Sequence, residues 1–214
     1  MSSASSLIRA LLLLMVATGC ERVADLSALT SGGSTTKAQT VPMAAADFAA
    51  RVESGAPLMI VNLEERDALT TFALVTDRNG DRTWRTQDNV TLSTRSGLLT
   101  STRALGADLM SADVMESEAL VLADRAGLAV RIHRYLDGQN GIEIDSYVCE
   151  ITPFGRQDLT LDGRTVQTRV LTEACTNPDN DFENSYWVSG GRVVQSRQWV
   201  GPDVGAIAMR EVFR

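Results

Sequence analysis

Apolar residues recur at every second position over many short stretches of this 214-residue chain. Residues 128–135 and 142–149 show the pattern clearly, and residues 90–94 alternate leucine or valine with threonine or serine. A period of two is typical of a strand that has one face in the core and the other in solvent. This repetition constrains the fold more than any other feature, because every such strand must place one face on a shared core.

Short turn sequences separate the predicted strands. Asn79-Gly80 is a pair that tolerates the positive φ of a tight hairpin, and Asp162-Gly163 and Gly190-Gly191 occupy similar places. Helices are predicted at residues 44–53, 106–109 and 112–123, and no strand–helix–strand rhythm indicates a Rossmann-type sheet. The sequence therefore predicts an all-β fold with minor helix, an antiparallel meander curled into a sandwich or barrel. The predicted strands cover residues 58–63, 71–76, 83–86, 90–94, 97–102, 128–135, 142–149, 157–161, 165–172, 184–188, 192–200 and 206–213.

The N-terminal residues follow the order of a secretory signal. Arg9 precedes an uncharged run at residues 10–19, which is shorter than the roughly 20 apolar residues that span a bilayer. Small residues lead to Cys20, as in the lipobox of bacterial lipoproteins, although Ala17 stands where leucine is commoner. We expect a signal peptide at residues 1–19 and lipidation of Cys20. An ordinary cleaved signal peptide is the alternative.

Residues 20–40 are rich in Ser, Thr, Gly and Ala, a composition that predicts a flexible tether. Residues 41–214 then form one domain of ordinary size. Glu21 follows Cys20, whereas aspartate is the usual inner-membrane retention signal of enteric bacteria. We therefore expect a lipid-anchored protein that faces the periplasm from the outer membrane.

The net charge and the cysteines indicate which partners, cross-links and metal sites to expect. Arg9 is the only charge in residues 1–19, so their removal changes the formal net charge from −7 to −8. An acidic balance argues against nucleic acid as a partner. Cys149 and Cys175 are expected to pair in an oxidising compartment, with two buried free thiols as the alternative. A metal site is not expected, because His133 is the only histidine and no close Cys-His spacing occurs.

No catalytic motif stands out, and no cofactor is predicted. The alternation places His133 on the same face of its strand as Arg131 and Tyr135, which we expect to be the solvent face. Glu143 and Asp145 share a strand face and resemble the carboxylate pair of a glycosidase. Acidic pairs on solvated strands are common, so we expect the chain not to be an enzyme.

The aromatic residues are the stronger candidates for a binding site. Tryptophans next to arginines in strands can form a platform for a sugar or a partner protein. The alternative is that the same rings fill the core. The candidate contact residues are Trp84, Trp187, Trp199 and Arg197.

Two segments carry a resemblance to a known family. Residues 84–109 (WRTQDNVTLSTRSGLLTSTRALGADL) and 196–202 (SRQWVGP), behind a lipobox, resemble the YjbF/GfcB family of capsule-associated lipoproteins. The resemblance implies an outer-membrane lipoprotein that works beside a β-barrel partner in exopolysaccharide or capsule export. It also implies a sheet curled into an open or half barrel with one or two short helices. Cys20 is the only functional position that it transfers.

Three hypotheses follow. The leading one is an accessory or scaffold lipoprotein for polysaccharide export, which binds the glycan or the barrel partner. The second is a half-barrel carrier of a lipid or lipid-linked glycan, which needs an apolar interior larger than its side chains fill. The third is a glycan-modifying hydrolase that uses Glu143 or Asp145.

Overall fold

The computed structural model describes residues 42–139 and 141–212, and these residues form one twelve-stranded antiparallel sheet with two α-helices. The predicted signal peptide, Cys20 and the tether lie outside the described residues. The helices are α1 (Pro42–Glu53) and α2 (Met115–Ala123). The strands are β1 (Leu58–Leu63), β2 (Ala68–Arg78), β3 (Asp81–Arg85), β4 (Thr91–Arg95), β5 (Leu98–Arg103), β6 (Ser111–Asp113), β7 (Gly127–Leu136), β8 (Ile142–Leu161), β9 (Arg164–Thr176), β10 (Asp181–Ser189), β11 (Arg192–Gly201) and β12 (Gly205–Val212).

The strand order across the sheet is β5-β4-β3-β2-β1-β12-β11-β10-β9-β8-β7-β6. Two meanders, β1–β5 and β6–β12, are therefore joined by the pairing of β1 with β12, where Leu58 lies opposite Val212. The two end strands, β5 and β6, follow each other in the chain. The backbone N–H of Thr102 donates to the Leu109 carbonyl (2.9 Å), so the sheet curls into a nearly closed barrel. The predicted all-β fold is confirmed.

Tight turns connect the strands of several hairpins. Asn79 and Gly80, between β2 and β3, have φ values of 56° and 91°. Two-residue turns with both φ values positive match the right-handed twist of the flanking strands, which is why Asn-Gly is favoured there. The pairs Asp162-Gly163 and Gly190-Gly191 also have positive φ, as the sequence predicted.

Side chains from inside the barrel bond to the free edge of β5. The Gln198 side chain accepts from the Leu99 N–H (2.8 Å) and donates to the Gly97 carbonyl (2.9 Å). Gly97 has φ of 92°, and a Cβ there would lie 2.6 Å from the Cβ of Val193. The curl is thus tight enough to require glycine, and the Gln198 side chain pairs two of the backbone groups at this edge.

Three local predictions differ from the structure, one in the type of element and two in its bounds. Residues 106–109 form a bend and a loop instead of a helix, and the Asp108 carboxylate accepts from the backbone N–H groups of Ala104 (2.8 Å) and Leu105 (3.0 Å). The helix predicted at 112–123 begins only at Met115, since residues 111–113 pair with β7. Residues 142–149 and 157–161 belong to one strand, β8, because an irregularity between Pro153 and Gly155 leaves its pairing with β9 intact.

The inner face of the sheet is packed with side chains. One apolar cluster includes Phe72, Trp84 and Ile207, and another includes Ile151 and the α2 residue Val121. These residues are at most 1 % exposed. The elements therefore share a filled interior, and the candidate binding surfaces lie on the outside.

Candidate functional site

A groove of about 360 Å³ lies on the outer face of the sheet, where β1, β12, β11 and β10 are neighbours. This size falls in the range of ligand pockets, which is roughly 300–1,000 Å³. Ile60 of β1 and Ala208 of β12 line its apolar part. Its polar and aromatic lining includes Asn62, Glu64, Trp187, Gln195, Arg197 and Arg210. We call this surface the outer groove.

A bidentate ion pair forms one wall of the outer groove. Arg197 on β11 reaches both oxygens of Glu64, which follows β1 directly, with Nε–Oε1 at 3.1 Å and Nη2–Oε2 at 2.8 Å. The two side chains are 46 % and 31 % exposed, so both remain accessible to a ligand. The pair exists only because β1 and β12 join the two meanders and bring residues 133 positions apart together.

The hairpin made by the distal parts of β8 and β9 borders the outer groove. Residues 154–168 lie beyond the last pairs with β7 (Gly127 with Ile151) and β10 (Val188 with Arg169). We call them the hairpin arm. The indole N–H of Trp187 donates to Gln157 Oε1 of the arm (2.8 Å), and Arg210 lies 3.7 Å from the Asp162 carboxylate at its tip. The arm therefore fixes the Trp187 ring at one side of the groove.

The structure separates the four predicted contact residues. Trp187 and Arg197 both line the outer groove, as a platform requires. Trp84 is 1 % exposed and its indole N–H donates to Thr94 (3.1 Å) in the core. Its assignment as a contact residue is therefore corrected, because its strand face points into the barrel.

Trp199 lies where the pairing of β10 with β11 ends. The last paired residues are Ser185 and Arg197, and beyond them the Asn184 side chain accepts from the Trp199 backbone N–H (2.8 Å). The Trp199 ring stacks on Phe182 with centroids 5.9 Å apart. Its buried indole N–H has no partner among the described residues. Trp199 is thus packed on the aromatic cluster near the disulfide and does not line the outer groove.

His133 is buried, which corrects its predicted place on the solvent face. Arg131, His133 and Tyr135 do share one face of β7, but that face points into the barrel, and the first two are 0 % exposed. The alternate face carries Leu128 and Val130, which are 71 % and 47 % exposed. The prediction that these three residues share one face of β7 was right. The prediction that this face is exposed to solvent was wrong, because the polar face of β7 is the buried one.

A buried ion pair explains why polar residues occupy the inner face. Arg131 and Glu173 are both fully buried and lie 2.9 Å apart. Glu173 also accepts hydrogen bonds from Ser117 (2.5 Å), Asn184 (2.7 Å) and Tyr186 (2.5 Å). Burial raises the pKa of Glu173, but the Arg131 charge and these three hydrogen bonds outweigh it and hold the pKa below its usual value.

A chain of hydrogen bonds fixes the state of His133. Arg131 Nε can only donate, so the His133 Nε2 at 2.9 Å accepts. The Nδ1–H then donates to the Tyr135 hydroxyl (3.0 Å), which donates to the Val200 carbonyl (2.8 Å). Burial and the Arg131 charge lower the pKa of His133 to about 2, so the ring stays neutral. This sealed ring holds the inner network and has no contact with solvent.

The remaining candidates do not form a reaction site. Glu143 is exposed and Asp145 is half-buried, and neither lines the outer groove. Cys149 and Cys175 lie opposite each other on β8 and β9 and form the predicted disulfide. Glu173 lies close to both sulfurs, but sulfurs in a disulfide are not the thiolates that bind metals.

A second exposed surface lies on the outer face of β7 and β8. Its side chains are 47–71 % exposed and include the cross-strand pairs Val130–Val148 and Leu136–Ile142. We call it the apolar strip. Contiguous apolar surface of this kind is typical of interaction sites. The strip consists of Leu128, Val130, Leu136, Ile142, Ile144 and Val148.

Comparison with known proteins identifies the family. The family model of the group 4 capsule polysaccharide lipoprotein GfcB, YjbF, matches residues 36–212. The chain belongs to this family. The match spans the strands that line the outer groove and the whole inner network. The predicted resemblance is thereby confirmed.

One solved structure confirms the fold. The crystal structure of the hypothetical lipoprotein YmcC from Escherichia coli (K12) matches with a TM-score of 0.68 and 23 % identity. The match covers 82 % of this chain and 96 % of that one. No curated protein matches the chain. In the part of the chain that the structure describes, no helix has both the length and the apolar character to cross a membrane.

Sequence reasoning missed much of the outer groove. Asn62, Glu64, Gln195 and Arg210 were not singled out, and neither was the hairpin arm. The alternation indicates which of these residues face outward on their strands. Their convergence depends on the pairing of β1 with β12, for which the local sequence holds no signal.

Proposed function

We propose that this chain is an outer-membrane lipoprotein, anchored through Cys20 and facing the periplasm, that assists the export of a capsule polysaccharide or exopolysaccharide. It acts as a non-catalytic binding module beside an outer-membrane β-barrel protein. The observation that carries this proposal is the outer groove, where Trp187 and the Glu64–Arg197 pair present an aromatic ring and hydrogen-bonding groups on a rigid sheet. Membership of a capsule polysaccharide lipoprotein family supports the process.

The arrangement favours binding over catalysis or lipid carriage. The buried histidine is sealed, and the two candidate carboxylates lie away from the outer groove. The space beside Trp84 measures about 10 Å³, which barely reaches the volume that one water molecule needs. The filled inner face therefore gives the carrier hypothesis no support.

The apolar strip supports the protein partner. Residues 20–41 could extend at most roughly 70–80 Å, which keeps the domain within reach of the membrane that holds the anchor. The six side chains of the strip are aliphatic, and two charged residues lie opposite strip residues in the register, Arg134 opposite Ile144 and Glu150 opposite Leu128. A contact driven by burial of aliphatic side chains thus fits a protein surface, and we assign the strip to the β-barrel partner.

The proposal is tested in a strain that lacks the gene and carries a plasmid copy. Cys20→Ser and Trp187→Ala are expected to reduce surface polysaccharide at equal protein levels, whereas Glu53→Ala, an exposed change on α1, is expected to restore it fully. Labelled palmitate measures the lipidation of Cys20. Normal polysaccharide output in the deletion strain would refute the function.

The partner is tested by a photo-crosslinking residue at Ile144, with Glu53 as the control position. An adduct that contains an outer-membrane β-barrel protein, formed at Ile144 and absent at Glu53, supports the assignment. Adducts with a second copy of this chain, or no protein adduct at Ile144, would overturn it.

A further inference from the structure

The charges of the outer groove identify the ligand class further. We propose that the groove binds an uncharged segment of glycan, with Trp187 as the stacking surface and the Glu64–Arg197 pair as a hydrogen-bonding clamp. This inference rests on the proposed function and adds the chemistry of the ligand.

The Trp187 ring is held in place before any ligand arrives. Its indole N–H donates to Gln157 of the hairpin arm (2.8 Å), while its exposed part lines the outer groove. A ring whose polar group is already bonded offers its apolar surface to a ligand. The C–H face of a pyranose ring is a ligand group of that kind, and a fixed ring costs little conformational entropy on binding.

Both guanidinium groups of the groove already have carboxylate partners. Glu64 forms a bidentate ion pair with Arg197. The carboxylate of Asp162 in the hairpin arm lies 3.7 Å from the Arg210 guanidinium. An acidic sugar would need a free guanidinium fork, because bidentate binding of a carboxylate uses two parallel N–H groups. Each positive charge of the groove therefore has a negative partner, and the formal charge of −8 of the chain without residues 1–19 further opposes an anion.

An arginine–glutamate ion pair can form hydrogen bonds with the hydroxyl groups of a sugar. A sugar hydroxyl both donates and accepts, so it can donate to a Glu64 oxygen and accept from an Arg197 N–H without breaking the pair. Gln195 and Asn62 line the same groove and add amide groups that also donate and accept. The lining thus matches the vicinal hydroxyls of a neutral sugar.

The size of the groove limits the length of glycan that it holds. At about 360 Å³ it lies near the lower end of ligand pockets, so it fits a short segment of a chain that continues on both sides. A shallow open groove of this kind leaves the ends of the polymer free. This is the geometry that an accessory protein needs to hold a polymer during its passage.

Calorimetry on the detergent-solubilised lipidated protein tests the inference. The probes are a set of neutral hexasaccharides (gluco-, manno- and galacto-configured) and hexagalacturonate as the acidic match. We expect at least one neutral probe to bind and hexagalacturonate not to bind. Because no net charge is involved, the affinity should not change between about 0.05 and 0.5 M NaCl.

Variants assign the binding to the groove. Trp187→Ala should weaken binding of the neutral probe roughly tenfold, as truncation of a central tryptophan does. Met115→Ala, a truncation of an exposed side chain on α2 outside both the outer groove and the apolar strip, should leave the affinity unchanged. Glu64→Gln frees the Arg197 guanidinium and should create binding of hexagalacturonate that disappears at high salt.

Each contrary result overturns the inference. If the wild-type protein prefers hexagalacturonate, the ligand is acidic. If Trp187→Ala binds the neutral probe with unchanged affinity, the glycan site lies outside the outer groove. Binding of none of the probes would also refute it. These outcomes are distinct from failure of the proposed function, which shows as normal polysaccharide output in the deletion strain whatever the calorimetry gives.

Discussion

Two arginine–glutamate pairs in this protein have the same chemistry and opposite surroundings. Arg131 and Glu173 are fully buried inside the barrel, and three further side chains donate hydrogen bonds to the carboxylate. Arg197 and Glu64 lie in the outer groove and are 46 % and 31 % exposed. Charges taken out of water are costly unless every group is paired, whereas exposed pairs contribute little to stability. The inner pair therefore holds the fold and the outer pair is available to a ligand.

The largest expected effect comes from breaking the inner pair. Glu173→Ala leaves the buried Arg131 charge without its partner, and we expect the free energy of unfolding to fall by about 3–5 kcal/mol. Urea denaturation of the full lipidated chain in detergent measures it. The double variant Arg131→Met/Glu173→Met removes both charges, so it should lose less than the sum of the two single variants. Additive losses would show that the two charges are not coupled.

The next effect is the pH dependence that His133 introduces. Below about pH 6.5 the ring takes up a proton in the unfolded chain, but in the folded protein its pKa of about 2 keeps it neutral. Acidification therefore favours the unfolded state, and between pH 7.5 and pH 5 this group lowers the stability by about 2 kcal/mol. His133→Gln keeps an acceptor for Arg131 and should flatten the dependence of the urea midpoint on pH by this amount. Parallel curves for wild type and variant would contradict the neutral, sealed histidine.

The smallest effect on stability is expected in the outer groove. Arg197→Ala removes the partner of Glu64, yet we expect the free energy of unfolding to change by no more than about 1 kcal/mol, because both side chains are solvated. The same variant should lose neutral-glycan binding, since the clamp is gone. A loss of several kcal/mol would show that the pair holds the β1–β12 junction and would weaken its role as a ligand site.

The two regions also differ in how far the sequence predicted them. The sequence pattern of aromatic residues near arginines in predicted strands indicated Trp187 and Arg197 as contact residues. Both line the outer groove. The inner pair was not predicted, because Arg131 and Glu173 lie 42 positions apart on strands that are not neighbours. Trp84 was grouped with the exposed aromatics although it is in the core. Residue type alone did not separate these two environments.

Strand β7 shows why the orientation of a strand face escapes local reasoning. Its alternation correctly grouped Arg131, His133 and Tyr135 on one side. Hydrophobicity then placed Leu128 and Val130 in the core, which is the usual outcome for a half-buried strand. In this protein the polar side is buried, because Glu173, Tyr186 and other groups from distant strands satisfy it there. The apolar side is left on the outside as part of the apolar strip.

The sequence by itself determined the period-two strands and the positive-φ turns between them. These features are local, or they follow from alternation, so each short segment contains the information that specifies it. Only the tertiary structure decided that β1 pairs with β12, which face of β7 is buried, and that Glu64 meets Arg197. Those outcomes depend on the free energy of pairing groups far apart in the chain, and a buried charge is tolerated only where all of its partners arrive together.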